Sequence, residues 1–169
     1  KLGDGAEINP PAWKLSVLAT ILDARDKQGL NRAGESAAFA RFLKPARELA
    51  ANPSASEAQQ LAAIRLLGPE RASVEQDAEN LVGLLSVRNS LAVQRAALTR
   101  IGQLDDVAVP KVILARWKAA GPQSSALLSV LLRGPEWTEK LLDQLGEGSI
   151  TVGELGATAR QELLAHRSE

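Results

Sequence analysis

Apolar residues recur along this chain at the three-to-four spacing of helices, in segments cut apart by glycine, proline and serine. Pro10 and Pro11 open the first such segment, which runs to about Gly29 with Trp13, Val17, Ile21 and Ala24 on one face. After the polar turn NRAGES, Phe39, Phe42, Leu43, Ala46 and Leu49 line a second helix. The stretch NPSAS ends it and offers Ser56 as the N-cap of a third, whose stripe is Leu61, Ile64 and Leu67. Ala78, Leu81, Val82 and Leu85 mark a fourth helix. A fifth carries Leu91, Leu98, Ile101 and Leu104, with Gln94, Arg95 and Gln103 assigned to solvent. A sixth, N-capped by Asp106, carries Val109, Val112, Ile113 and Trp117. The seventh, after Gly121-Pro122, is apolar almost all round at Leu127, Leu128, Val130, Leu131 and Leu132. Such a helix belongs in the centre of a fold or against a partner. An eighth follows Gly134-Pro135 with Trp137, Leu141, Leu142 and Leu145, then comes the loop GEGSITVGELG and a last helix from about Ala157 to Ala165.

Three glycines punctuate this pattern at nearly equal steps. Gly68, Gly102 and Gly134 each close an Ala/Leu-rich segment, EAQQLAAIRLLG, VQRAALTRIG and SALLSVLLRG. A period in the thirties with helical content predicts an array of helix pairs, and the glycines are expected at helix C-termini with positive φ. Short connections make sequential helices neighbours in space. The expectation is an all-α fold, an α-α superhelix of about four antiparallel pairs plus a terminal helix. It occupies residues 10–169 as one domain, and 1–9 read as a linker or frayed terminus.

Composition agrees with helices. Ala and Leu dominate, aromatic residues are only 3%, and 45% of the chain is apolar, so a packed core rather than a disordered chain is expected. Lys and Arg number 20 and balance 20 acidic residues, where a nucleic-acid-binding domain normally shows a basic excess. The charges are unevenly spread. Arg25, Lys27, Arg32, Arg41, Lys44 and Arg47 face only Asp26 and Glu35 between positions 25 and 47. Of these, Arg41, Lys44 and Arg47 form a candidate anion patch; solvated outer helix faces are the plainer reading.

The inventory for chemistry is short. Without cysteine there is no disulfide, thiolate zinc site or haem-attachment motif. The one histidine, His166, reads as an exposed helix-end residue, and the carboxylates Glu75, Asp77, Glu79, Asp105 and Asp106 show no metal-ligand spacing. No glycine-rich phosphate loop is present. Trp13, Trp117 and Trp137 fall in apolar stripes and read as core. The alternative lets Trp117 or Trp137 line a concave face and stack on a ligand. No catalytic, cofactor or metal residue is therefore assigned, and no cofactor is expected. With no methionine and Lys1 as its first residue, the chain reads as a processed or excised piece of something longer.

Residues 104–114, LDDVAVPKVIL, resemble the start of the second helix in a HEAT repeat of the short, bilin-lyase-like kind, and Ala96–Gly102 fits the helix before it. Near the C-terminus, Leu155, Arg160, Leu163, Leu164 and His166 are similar to the closing segment of the HEAT region in large bacterial haem-binding proteins described as membrane-bound dehydrogenases. Those proteins place a β-propeller before the array and a c-type cytochrome domain after it. The resemblance implies an armadillo-like α-solenoid, a periplasmic location, and redox activity that belongs to flanking domains. The leading functional expectation is a non-enzymatic scaffold whose partners are those domains or another protein. Its concave face would be built from the second helix of each pair and lined by Glu79, Arg116 and Lys140. The alternative is a nucleic-acid-binding HEAT-like domain using Arg41, Lys44 and Arg47, with Arg88, Arg95 and Arg100.

Overall fold

A computed structural model describes residues 11–27, 37–117 and 123–165. Among them are nine α-helices: α1 (Ala12–Lys27), α2 (Ala37–Ala51), α3 (Glu57–Ile64), α4 (Val74–Gly83), α5 (Leu91–Ile101), α6 (Ala108–Ala115), α7 (Ser124–Leu131), α8 (Pro135–Gly146) and α9 (Gly156–Ala165). Short 3-10 turns at Arg71–Ser73 and Val152–Leu155 lead into α4 and α9, and no strand occurs among the described residues. The segment 1–9, Gly121-Pro122 and His166 lie outside the described residues, as do the side chains of Arg25, Lys27, Arg32 and Phe39.

The helices stack in two rows. α1, α3, α5, α7 and α9 follow one another in the first, α2, α4, α6 and α8 in the second, and the rows join where α2 packs on α3, α4 on α5 and α7 on α8. Each helix thus meets mainly its neighbours along the array, the arrangement of an α-solenoid. One continuous apolar core runs along the array, with Ile64, Leu66, Leu81, Ile101, Ile113, Leu127 and Leu131 at most 1% exposed.

Serine caps set the starts of the two central first-row helices. Ser56 Oγ accepts the Gln59 N–H and the Gln59 side chain accepts the Ser56 N–H, a reciprocal box, and 34 positions later Ser90 Oγ accepts the Val93 N–H. Asp106 acts one residue earlier than expected: its Oδ1 accepts the Ala108 N–H at 3.0 Å, forming the turn into α6, whose N-cap position is Val107.

The three glycines do not do the same work. Gly68 has φ +85°, and a Cβ placed on it would lie 2.1 Å from Leu104 Cδ2, so both its backbone and its neighbour require glycine. Gly68 does not close a helix, since α3 ends at Ile64 and the chain makes further turns before reaching it. Gly102 is the C-cap of α5 with right-handed φ −67°, and Gly134 is extended at φ −131° as the N-cap of α8. Of the three, only Gly68 has the expected positive φ, and it is the one packed directly over a buried core side chain, Leu104.

Helix α1 is turned over relative to its expected face. Leu15, Ala19 and Leu22 are buried against the core, while Trp13, Val17 and Ile21 point outward and Ala24 is exposed. The sequence carries two apolar stripes on this helix, and the Leu15-Leu18-Ala19-Leu22 stripe has the tighter i, i+3, i+4, i+7 spacing that fits between neighbours. Similar corrections hold for Leu91 and Leu142, which are exposed while Val93, Ala97, Thr138 and Leu141 are buried beside them. Helix α7 is enclosed by this chain itself, between α5, α8 and α9. Its apolar surface is internal, not open for docking.

Candidate functional site

The second-row helices each bury one stripe and expose the other. On α2 the exposed positions include Arg41, Lys44 and Glu48. On α4 they are Glu75, Gln76 and Glu79, on α6 Lys111 and Arg116, and on α8 Glu136, Glu139, Lys140 and Asp143. The dominant sign alternates from helix to helix: basic, acidic, basic, acidic. Between α4 and α6 the opposite signs meet, with Lys111 Nζ 3.6 Å from Glu75 and Arg116 Nη2 3.7 Å from Glu79. Both pairs are about half exposed or more, so each contributes roughly 0–1 kcal/mol and weakens with salt. The structure therefore brings together two of the three residues expected on an interaction face, Glu79 and Arg116. The third, Lys140, stays on α8 and lies 3.9 Å from Asp143 one turn on.

The expected anion patch divides in the same way. Arg41 and Lys44 are exposed, and the Arg41 guanidinium sits 4.9 Å from the Phe42 ring centroid. Arg47, one turn further, lies at the edge of the buried Leu43-Ala46-Leu49-Ala50 stripe and turns inward. Its Nε donates to Asp77 Oδ1 at 2.6 Å, and its Nη2 donates to Asp77 Oδ2 at 3.1 Å, Glu70 Oε2 at 3.2 Å and Ser73 Oγ at 2.6 Å. Asp77 is fully buried and also accepts the Gly68 N–H at 2.9 Å. A bidentate guanidinium–carboxylate pair with a backbone donor satisfies a buried carboxylate that would otherwise be costly. The Asp77 hydrogen bond, opposed by burial, raises the Arg47 pKa above its ordinary value, so the guanidinium stays charged. An external anion at Arg47 would have to displace Asp77.

This clasp joins α2, the turn after α3 and the start of α4. Its partners stand 23 to 30 residues from Arg47, so no local spacing announces them. Other polar side chains tie successive repeats in the same fashion. Arg100 Nε donates to the Leu67 carbonyl at 2.7 Å, in the turn that follows α3. Ser90 Oγ donates to Glu57, the first residue of α3. Gln94, expected in solvent, is buried: its Nε2 donates to the Asn89 carbonyl at 2.9 Å and its Oε1 accepts from Gln123 Nε2 at 2.6 Å. Gln60, 34 positions earlier, is buried too and donates to the Asn52 carbonyl. The recurring Ser-x-x-x-Gln spacing at 56–60 and 90–94 is the sequence signal for this pair.

The aromatic candidates separate by burial. Trp117 is 2% exposed and belongs to the core, with no hydrogen-bond partner for Nε1 among the described residues. Trp137 packs partly buried against the core, whereas Trp13 is exposed on α1. The burial of Trp117 removes it from the exposed face, and Trp137 lies between core and surface. Among the described residues no group of three His, Cys, Asp or Glu side chains is placed to hold a metal ion, and no helix is long and apolar enough to cross a membrane.

Two rows of helices, polar ties between successive pairs and a broad face of alternating charge define a solenoid-like, all-α array. Set beside known proteins, the chain matches no family model, no curated protein and no solved structure.

Proposed function

We propose that this chain is a non-enzymatic scaffold, a HEAT-like segment of a larger multidomain protein that holds its flanking domains or another protein in a fixed relation. The observation that carries this reading is the helix-by-helix alternation of charge along the second row, from Arg41 and Lys44 on α2 to Glu139 and Asp143 on α8. Such a surface offers both signs over an extended area, which suits a folded protein of mixed charge better than a uniformly anionic polymer. Polar ties along the array support it: Arg47 joins α2 to the buried Asp77 of α4, Arg100 reaches the turn after α3, and buried Gln94 on α5 meets Gln123 at the start of α7. Any redox activity of the parent then lies in the neighbouring domains.

The test is calorimetric titration of the chain with separately produced neighbouring domains, at about 0.05 M and about 0.3 M salt. Saturable binding that Arg116→Glu weakens and high salt reduces supports the scaffold. The alternative is a nucleic-acid-binding domain that uses Arg41 and Lys44, both of which remain exposed. No binding to any neighbouring domain at about 100 μM, together with saturable duplex DNA binding that falls steeply with salt, would replace the scaffold reading with this one.

A further inference from the structure

The exposed charges of the second row come in a fixed order. Arg41 and Lys44 outnumber Glu48 on α2, and Glu75 and Glu79 stand on α4. Lys111 and Arg116 lie on α6 and at its end, and Glu136, Glu139 and Asp143 outnumber Lys140 on α8. In space α4 touches α2 on one side and α6 on the other, with α8 beyond α6. Packed helices stand about 8–10 Å apart, so the sign of the surface changes once per step of about that length. Where α4 meets α6 the opposite charges are held loosely, at 3.6 and 3.7 Å, and the four side chains are 47–78% exposed. Turning them toward a ligand strands no buried charge, as opening the Arg47–Asp77 pair would.

A linear partner stays in register with this row only if its own charges recur on one face at the same step. A β-strand returns to one face about every 6.7 Å and falls out of step. An α-helix returns after about seven residues, a rise of about 10.5 Å. We infer that the second row binds a helix of a second protein, laid across α2, α4, α6 and α8, whose exposed charges change sign about every seven residues. Charge complementarity carries the inference: acidic, basic, acidic and basic turns of the partner face basic, acidic, basic and acidic helices here. A partner that begins with the other sign fits equally well lying in the opposite direction, so the alternation is what is recognised. Exposed, salt-screened contacts of this kind suit a partner that associates and leaves. This rests on the scaffold reading and names what the scaffold holds.

Two fluorescently labelled, alanine-rich helical peptides of about 28 residues test it. Each carries four pairs of like charges, with the members of a pair about four residues apart and successive pairs about seven residues apart, all on one face. In one peptide the pairs run Glu, Lys, Glu, Lys; in the other, of the same composition, they run Glu, Glu, Lys, Lys. In either direction the second peptide sets two of its four pairs against like charge. At about 0.05 M salt, fluorescence anisotropy should show the alternating peptide binding at least about tenfold more tightly than the block peptide. The variant Glu75→Lys/Glu79→Lys/Lys111→Glu/Arg116→Glu exchanges the signs of α4 and α6. It keeps both ion pairs and the net charge, so it keeps its fold, which circular dichroism verifies. Its row reads basic, basic, acidic, acidic, and the preference between the peptides should invert. Equal affinities for the two peptides, or a preference that the exchange leaves unchanged, overturns the proposal. So does the absence of binding by either peptide at about 500 μM. If neighbouring domains still bind in that case, the scaffold reading stands without this one; if they do not, both fall.

Discussion

Replacing Gly68 by alanine isolates what one punctuating glycine contributes. The residue sits at φ +85°, where an L side chain costs about 1–2 kcal/mol. The new Cβ would also fall 2.1 Å from Leu104 Cδ2, and Leu104 is buried in the core, so it must leave its place. Overpacking of that kind costs about 1–3 kcal/mol, which brings the total to roughly 2–4 kcal/mol after partial relaxation. For a domain of this size that is a Tm lower by roughly 5–15 °C. Gly102 provides the control. Its φ of −67° suits any residue, and the atom nearest an added Cβ is Arg133 Nη1 at 2.6 Å, the far end of a flexible side chain that can swing away. Gly102→Ala is expected within about 0.5 kcal/mol of the parent, as is Gly134→Ala, where an added Cβ meets nothing within 4 Å. Urea denaturation followed by circular dichroism measures all three, with m checked for constancy. Equal losses at Gly68 and Gly102, or a Gly68→Ala protein as stable as the parent, would refute the reasoning.

Four further outcomes follow from the same geometry. Arg47→Met leaves the buried Asp77 carboxylate with the Gly68 N–H alone and should cost about 2–4 kcal/mol in urea denaturation, more than Lys44→Met, which should lie within about 0.5 kcal/mol. The Arg47 pKa is raised in the fold, so its contribution is fully present below the unfolded-state value and is lost only as pH rises through the still higher folded one. The difference between parent and Arg47→Met attributable to this titration should therefore be unchanged by deprotonation between about pH 7 and about pH 10, and guanidinium loss within that window would contradict the assignment. Ser90→Ala removes both the Val93 cap and the tie to Glu57 and should cost about 1 kcal/mol, read from the urea midpoint. A chelator such as EDTA should leave the Tm where it was, and a shift of several degrees would reveal a metal contribution.

How much of this was legible in the sequence depends on the distance over which each contact is made. The helices were, because each declares itself through its own apolar stripe, and some through a start signal as well: Ser56 caps α3 and Pro135 opens α8, while the Ser90 cap of α5 emerged only in the structure. Gly68-Pro69 marked a turn, with Gly68 at positive φ, although α3 ends earlier, at Ile64. Which face a helix buries was legible only where one stripe stood alone. On α1 two stripes compete, and the choice between Trp13-Val17-Ile21 and Leu15-Ala19-Leu22 is made by α3, which lies across a connection the helix itself does not encode. Polar residues were misjudged for a related reason. Arg47 and Gln94 look solvated in isolation, and their burial depends on Asp77 and Gln123, 30 and 29 residues away. Of the residues singled out from the sequence, Glu79 and Arg116 lie side by side on α4 and at the end of α6, while Arg47 serves the inside of the molecule.

The paired serines and glutamines at 56–60 and 90–94 have an evolutionary consequence. Each begins a helix and secures the loop before it through a backbone carbonyl, so the stretch between them behaves as a cassette with matching joints at both ends. Gene duplication or loss of one such 34-residue cassette would lengthen or shorten the array by a whole step, because the incoming joint meets the same chemistry as the outgoing one. Span is then a quantity that mutation can adjust without redesigning the core. A protein that must hold its neighbours a set distance apart could change that distance in increments of one helix pair.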